Sequence, residues 1–214
     1  DAITDAVTGG VDGGPIHERL ARAWGQGARG ADLIRRALVL LADHELNAST
    51  FAARVTASTG ASLAASALAG LAALSGPLHG GAAARVRAWA DVAEKSDPRE
   101  AVQARRAFRG PAPGFGHPLY PHGDPRARAL MGAFRPAVPL EALRAAVEEA
   151  TGERDNVDFA MVALARDLGL PPDAPFVLFA VARAAGWLAH AMEQTLGGAL
   201  IRPRARYVGP DPEV

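Results

Sequence analysis

Gly76-Pro77-Leu78-His79-Gly80-Gly81 is the stretch on which the reading of this chain turns. An apolar run of helical period, Ser62 to Leu74, closes just before it at Ser75-Gly76-Pro77, and another opens near Leu78 or Gly80 and runs through Val86 and Trp89. Gly and Pro at such a junction stop one helix and start the next. His79 therefore falls at or just outside a helix N-terminus, an electropositive position. One reading makes it a simple turn residue. The other holds it for chemistry, because the two glycines after it permit close approach of a ligand to the backbone.

Working outward, Ala31 to Asp43 places Leu33, Ile34, Ala37, Leu38 and Leu41 on one helical face, and His44 follows at its end. Asn47 to Thr59 reads as a second helix stopped by Gly60. From Asp97 the chain turns basic and loop-rich, with Arg105, Arg106 and Arg109 before Gly110-Pro111-Ala112-Pro113-Gly114. Asp124-Pro125 then opens a helix as cap and first-turn proline. Pro139 to Thr151 and Asn156 to Leu168 are further helices, and Gly169-Leu170-Pro171-Pro172 breaks the chain before the most apolar run, Phe176 to Met192. That run contains Arg183 and His190 and reads as a buried helix, not a membrane span. With no alternating strand pattern, the expectation is an all-α fold. The chain opens in a Gly/Thr/Asp-rich segment ending near Pro15, and its first residues are expected to be poorly ordered.

Composition narrows the function. Twenty-three basic and 23 acidic side chains cancel, so nucleic acid and anionic membranes are not the expected partners. There is no cysteine, which excludes disulfides, thiolate metal sites and a cysteine nucleophile, and fits the cytoplasm. No metal site is expected.

Singly, the polar candidates have bland readings. His44 suits a helix C-terminus, His117 decorates a Gly/Pro loop, Asp158 sits near a helix start, and Arg126 lies in a first helical turn. Arg183 differs, being a lone charge on the stripe of Phe179 and Trp187, and a buried guanidinium needs an anion.

Taken together, from about Arg35 to Pro210, the chain resembles the citrate synthase family. The resemblance rests on Asp43-His44-Glu45 with Asn47-Ala48-Ser49-Thr50-Phe51, the Gly76–Gly81 block, Gly114-Phe115-Gly116-His117 with Asp124-Pro125-Arg126, Asn156-Val157-Asp158-Phe159, Arg183 to His190, and Ile201-Arg202-Pro203. It implies an all-helical, two-domain enzyme, here without the N-terminal part of the large domain. Residues 1–80 and 176–214 would form the large domain and 81–175 the small one. It also implies a homodimer that condenses an acyl-CoA with oxaloacetate, using no cofactor beyond the coenzyme A thioester substrate. By resemblance Asp158 is the base, His79 the donor to the developing enolate oxygen and His117 the donor to the ketone. His44, Arg126, Arg183 and Arg202 would take the carboxylates, Arg202 across the dimer.

The chain departs from the family at Pro118-Leu119-Tyr120-Pro121, where two positive charges are lost, and at Ala83 and Ala160-Met161-Val162, which make the cleft around Asp158 more apolar. The latter change suits propionyl-CoA and a 2-methylcitrate product. Two alternatives go with these departures: a non-catalytic regulatory protein that binds the oxoacid or acyl-CoA, and a citryl-CoA lyase.

Overall fold

Short polar side chains set several of the helix starts. Asn47, Ser62, Asp124 and Asn156 each accept a backbone N–H of the first turn that follows them, which satisfies donors a helix leaves unpaired. In chain order the helices are α1 Ala2–Thr8, α2 Ile16–Ala23, α3 Ala28–Leu41, α4 Ala48–Ser58, α5 Leu63–Leu74, α6 Ala82–Ala93, α7 Pro98–Ala107, α8 Pro125–Met131, α9 Val138–Thr151, α10 Val157–Asp167 and α11 Ala174–Gly197. This computed structural model describes residues 2–10, 13–107 and 111–210; Arg109 and Gly110 of the basic segment lie outside them. Among the described residues there is no strand, only an isolated antiparallel bridge between Phe115 and Asp155. The fold is all-α, as the periodicity predicts.

Two stretches are more regular than expected. The opening segment holds α1 and leads directly into α2, with the Arg19 guanidinium bonded to Asp5 and α2 packed on α3, burying Leu20 and Ala21. Its Gly residues hide two short helices that become stable by packing, not by their own propensity. The basic stretch after Asp97 is α7, capped by Asp97, whose carboxylate accepts the Arg99 and Glu100 amides. It buries Ala101 and Val102 and leaves its charges in water, a narrow apolar face that the arginines obscure in the sequence.

α3, α4, α5 and α11 pack together, and α10 packs on α6 and α8, with α7 and α9 completing that side. One apolar cluster runs from Leu33 and Ile34 through Val86 and Trp89 to Leu164 and Leu178, and a smaller one joins Ala53, Leu74, Ala180 and Trp187. α11 has the length and composition of a membrane span, but half of its apolar window is buried inside the protein. It is the central element against which α3, α4 and α5 lie.

The turn between α5 and α6 explains its glycines. Gly80 N donates to Leu74 O at 2.8 Å, and a Cβ on Gly80 would stand 2.2 Å from that same oxygen and 2.7 Å from the Phe176 ring. On Gly81 a Cβ would stand 2.5 Å from the Pro77 oxygen. The close approach these residues permit is that of the chain's own backbone, where the sequence suggested a ligand. Gly80→Ala should therefore destabilise the fold by about 1–3 kcal/mol, read as a lower urea midpoint at unchanged slope. An unchanged midpoint would show that the turn yields freely.

Candidate active site

α11 receives the end of α3. The last carbonyls of a helix lack partners within it; here Arg183 Nε donates to Leu41 O at 2.9 Å and Gly186 N to Ala42 O at 3.0 Å. Glycine is required at 186, because a Cβ there would stand 2.5 Å from the Ala42 oxygen. The chain then turns through Glu45, whose φ of 51° is left-handed, a conformation costly for a residue with a side chain. His44 just before it is half-buried. Its ring lies edge-on to His117 with centroids 5.2 Å apart, and its Nε2 is 3.1 Å from the Tyr120 hydroxyl. Burial, then the charges of Arg126, His117 and Arg183, push the His44 imidazole down to about 4, so it is neutral at pH 7.

His79 stands edge-on to Phe179, and its Nε2 lies 2.9 Å from the hydroxyl of Ser49, a fully buried residue in the first turn of α4. The Ser49 oxygen also receives Trp187 Nε1 at 3.1 Å and lies 2.8 Å from Asn47 Oδ1, which caps α4 by accepting the Thr50 amide. An indole N–H can only donate, and a hydroxyl has one proton. That proton goes to Asn47 Oδ1, with His79 donating from Nε2, or to His79 Nε2, which leaves the ring hydrogen on Nδ1. Burial and then Arg183 lower the His79 pKa.

His117 and Asp158 are tied together through the isolated bridge. Gly116 N donates to Arg154 O at 2.9 Å, Asn156 N to Gly114 O at 2.8 Å, and the Asn156 side-chain amide to Gly116 O at 3.0 Å. Asn156 also caps α10 by accepting the Asp158 amide at 3.0 Å. Leu119 N donates to His117 Nδ1 at 3.1 Å, so the neutral ring carries its hydrogen on Nε2. Burial, then Arg126, keep the His117 pKa low. For Asp158, burial pushes the carboxyl up to about 6 and outweighs Arg126 and Arg85, which act the other way. A helix start alone would have lowered it.

Asp124 has no exposed side-chain surface and accepts from the Arg126 amide, Nε and Nη2 at 2.9, 3.0 and 2.8 Å, and from Val157 N at 3.0 Å. Burial would raise its pKa; the bonds from Arg126 overcome that and hold it low. One carboxylate thus joins the starts of α8 and α10 and fixes the Arg126 fork. Arg183 is 1% exposed, its guanidinium 4.8 Å over the Phe179 ring, and both Nη1 and Nη2 are buried without a hydrogen-bond partner. Burial and then Arg126 lower its pKa to about 10, which leaves it charged at pH 7.

His44, His117 and Arg126 share contacts with Tyr120. Arg183 acts electrostatically on both His44 and His79, and Arg126 on Asp158. Arg202 does not join them. It lies exposed on the extended segment after α11, where Ile201 N is fastened to Ser58 Oγ at 3.1 Å. Three polar groups bound into this network were not singled out from sequence: Ser49, Tyr120 and Asp124. Ser49 and Asp124 sit inside the motif blocks, so only their burial separates them from ordinary capping residues.

A sequence model of the family described as "Citrate synthase, C-terminal domain" matches residues 6–204. "Citrate synthase 2" of Bacillus subtilis is 39% identical over 191 residues, 84% of this chain and 51% of that protein. "2-methylcitrate synthase 1" of Corynebacterium glutamicum is 35% identical over 199 residues, 86% of this chain and 52% of that protein. The solved citryl-CoA lyase of Hydrogenobacter thermophilus superposes with a TM-score of 0.80 at 26% identity, over 94% of this chain and 86% of that one. The citrate synthase of Thermoplasma acidophilum, solved as a ternary complex with carboxymethyl coenzyme A and oxaloacetate, gives a TM-score of 0.76 at 32% identity, over 92% of this chain and 57% of that one. The chain spans about half the length of the curated relatives it matches.

The raised Asp158 pKa has a sign that stability measurements can read. A carboxyl that holds its proton more tightly when folded costs stability above its folded pKa of about 6, and costs nothing well below its unfolded value of 3.8. Asp158→Asn should raise the unfolding free energy at pH 7 by on the order of 2 kcal/mol, with the gain fading as pH falls from 6 to below 4. Denaturant titrations across that range would show it. A gain independent of pH would mean that burial does not set this carboxyl's protonation.

Proposed function

The chain belongs to the citrate synthase family, and on that premise we propose that it acts in the condensation of an acyl-CoA with oxaloacetate. Acetyl-CoA would give citrate and propionyl-CoA 2-methylcitrate, with CoA released by a later hydrolysis. Arg183 carries this reading. A buried guanidinium with two unpaired nitrogens costs several kcal/mol unless an anion meets it, and no carboxylate among the described residues does so. A planar fork suits a carboxylate bidentately. Arg126, held flat by Asp124, supplies a second fork close enough to lower the Arg183 pKa.

The proton positions fit the chemistry. Enolising a thioester needs a base for the α-carbon and a hydrogen bond to the developing enolate oxygen. In this reading the Asp158 carboxylate, a stronger base than an ordinary one, takes the α-proton. His79 donates to the thioester oxygen from Nδ1, the nitrogen left free by Ser49, with the Ser49 proton turned to Nε2. Neutral His117 donates from Nε2 to the ketone oxygen, and the enolate carbon bonds to the ketone carbon as that oxygen takes up charge. No cofactor takes part, and the coenzyme A thioester enters as substrate. The proposed setting is the cytoplasm.

A homodimer completes the proposal. α4, α5 and α11 pack together, yet they leave Phe51, Leu63, Leu68, Met192 and Leu196 in solvent, Leu68 at 66% and Leu196 at 87%. An apolar face of this kind suits a second copy of the chain, and Arg202 on the adjoining segment would then serve the partner's pocket. A second reading, citryl-CoA cleavage, is favoured by the likeness to a lyase of which this chain covers 86%.

Thiol release from acetyl-CoA and propionyl-CoA with oxaloacetate tests the condensation. It should occur with at least one thioester, and kcat should fall as pH drops below about 6, because protonated Asp158 cannot act as base. Oxaloacetate binding without release would favour a regulatory protein, and formation of oxaloacetate from citryl-CoA without the forward reaction would favour the lyase. Arg183→Ala should weaken oxaloacetate binding by about 2–5 kcal/mol in calorimetry. Unchanged binding would remove Arg183 from the pocket.

A further inference from the structure

Tyr120 has no part in the chemistry above, yet it touches three of the groups given to the oxoacid. Its hydroxyl lies 3.1 Å from His44 Nε2, its ring sits 4.9 Å from the His117 ring at a tilt of 31°, and the Arg126 guanidinium lies 5.4 Å over it. Its backbone is fixed on both sides, Tyr120 N donating to His117 O and Gly123 N to Tyr120 O, each at 3.0 Å. Pro118 and Pro121 flank it with constrained φ angles. The segment that lacks the family's positive charges is thus a stiff support for one phenol.

Each nitrogen of a neutral imidazole has one hydrogen-bonding direction, in the plane of the ring. His44 Nε2 therefore cannot serve the Tyr120 hydroxyl and a carboxylate together. We propose that Tyr120 is a specificity-determining residue of the oxoacid pocket: its hydroxyl competes with a ligand carboxylate for His44 Nε2 and must be displaced by any ligand that reaches there. This rests on the oxoacid reading of the site. A ligand held at Arg183 alone leaves Tyr120 in place and meets no competition. A dicarboxylic oxoacid that also reaches His44 exchanges the phenol's hydrogen bond for its own, and binds more weakly than the two arginines alone would allow. The ring stays useful after displacement, because it still stacks against His117 and under Arg126.

Tyr120→Phe separates the hydroxyl from the ring. In calorimetry on the whole chain, the variant should bind oxaloacetate about 2- to 10-fold more tightly, the worth of one neutral hydrogen bond, and the monocarboxylate pyruvate unchanged. Weaker or unchanged oxaloacetate binding would overturn the proposal by making the hydroxyl a support or a bystander, and so would equal tightening for both ligands. The chain has two tyrosines, so ring-labelled tyrosine NMR, with Tyr207→Phe for assignment, gives a second readout. Oxaloacetate should shift the Tyr120 signals in the wild type, and unmoved signals at saturation would also overturn displacement. A wild type that binds no oxaloacetate at all would fail the oxoacid reading itself.

Discussion

A positive charge buried against an aromatic face, with its two outer nitrogens unpaired, sets the terms for the rest of this molecule. Arg183 is held by one bond to Leu41 O and by the Phe179 ring, and that same bond terminates α3 and so positions His44. After burial, its field favours neutral imidazoles at His79 and, together with that of Arg126, at His44. Neutral rings donate one hydrogen in a defined direction, which is what polarising a carbonyl requires. The unpaired charge is a stability cost in the unliganded protein, of the kind that binding sites retain because a ligand removes it.

Asp124 performs the complementary task for the other half of the site. A buried carboxylate with four N–H donors is well satisfied and holds its charge. It spends that charge on geometry, joining Arg126 to the first residue of α10. Asp158, one residue further on, has no such donors on its side chain among the described residues, and its carboxyl is raised where that of Asp124 is held low. Two aspartates on neighbouring elements thus hold their protons differently because of their surroundings, not their residue type, which suits Asp124 as anchor and, in the proposed reaction, Asp158 as base.

How far this was legible in the sequence follows from the same distinction. Helical period and caps gave α3, α4, α5, α6, α8, α9, α10 and α11, because their apolar faces are wide or their starts are marked by Asn, Ser or Asp-Pro. α1, α2 and α7 escaped because arginines and glycines mask narrow apolar faces that become visible only when something packs on them. The Gly80–Gly81 pair left two readings open in the sequence, turn or ligand approach, since the need for glycine depends on where the Leu74 and Pro77 carbonyls lie in space. The size of the Asp158 shift depends on the same kind of information: position on a helix is local, whereas burial is a property of the whole fold and here is the larger effect. Ser49 and Tyr120 look ordinary in sequence, and only their partners mark them out.

Ser49 shows how much can rest on one hydroxyl proton. Trp187 Nε1 must donate to it, so the oxygen has one remaining acceptor position and one proton for His79 and Asn47 to divide. With the proton on the Asn47 side, neutral His79 points a lone pair from Nδ1 and cannot stabilise an enolate. Turned to His79 Nε2, the same proton moves the ring hydrogen to Nδ1 and makes His79 a donor without any change of net charge. Asn47 tolerates the turn because its Oδ1 keeps the Thr50 amide. In the proposed reaction the capping block at the start of α4 would therefore set the tautomer of a histidine 30 residues away in sequence, and a helix cap would join the acid–base chemistry.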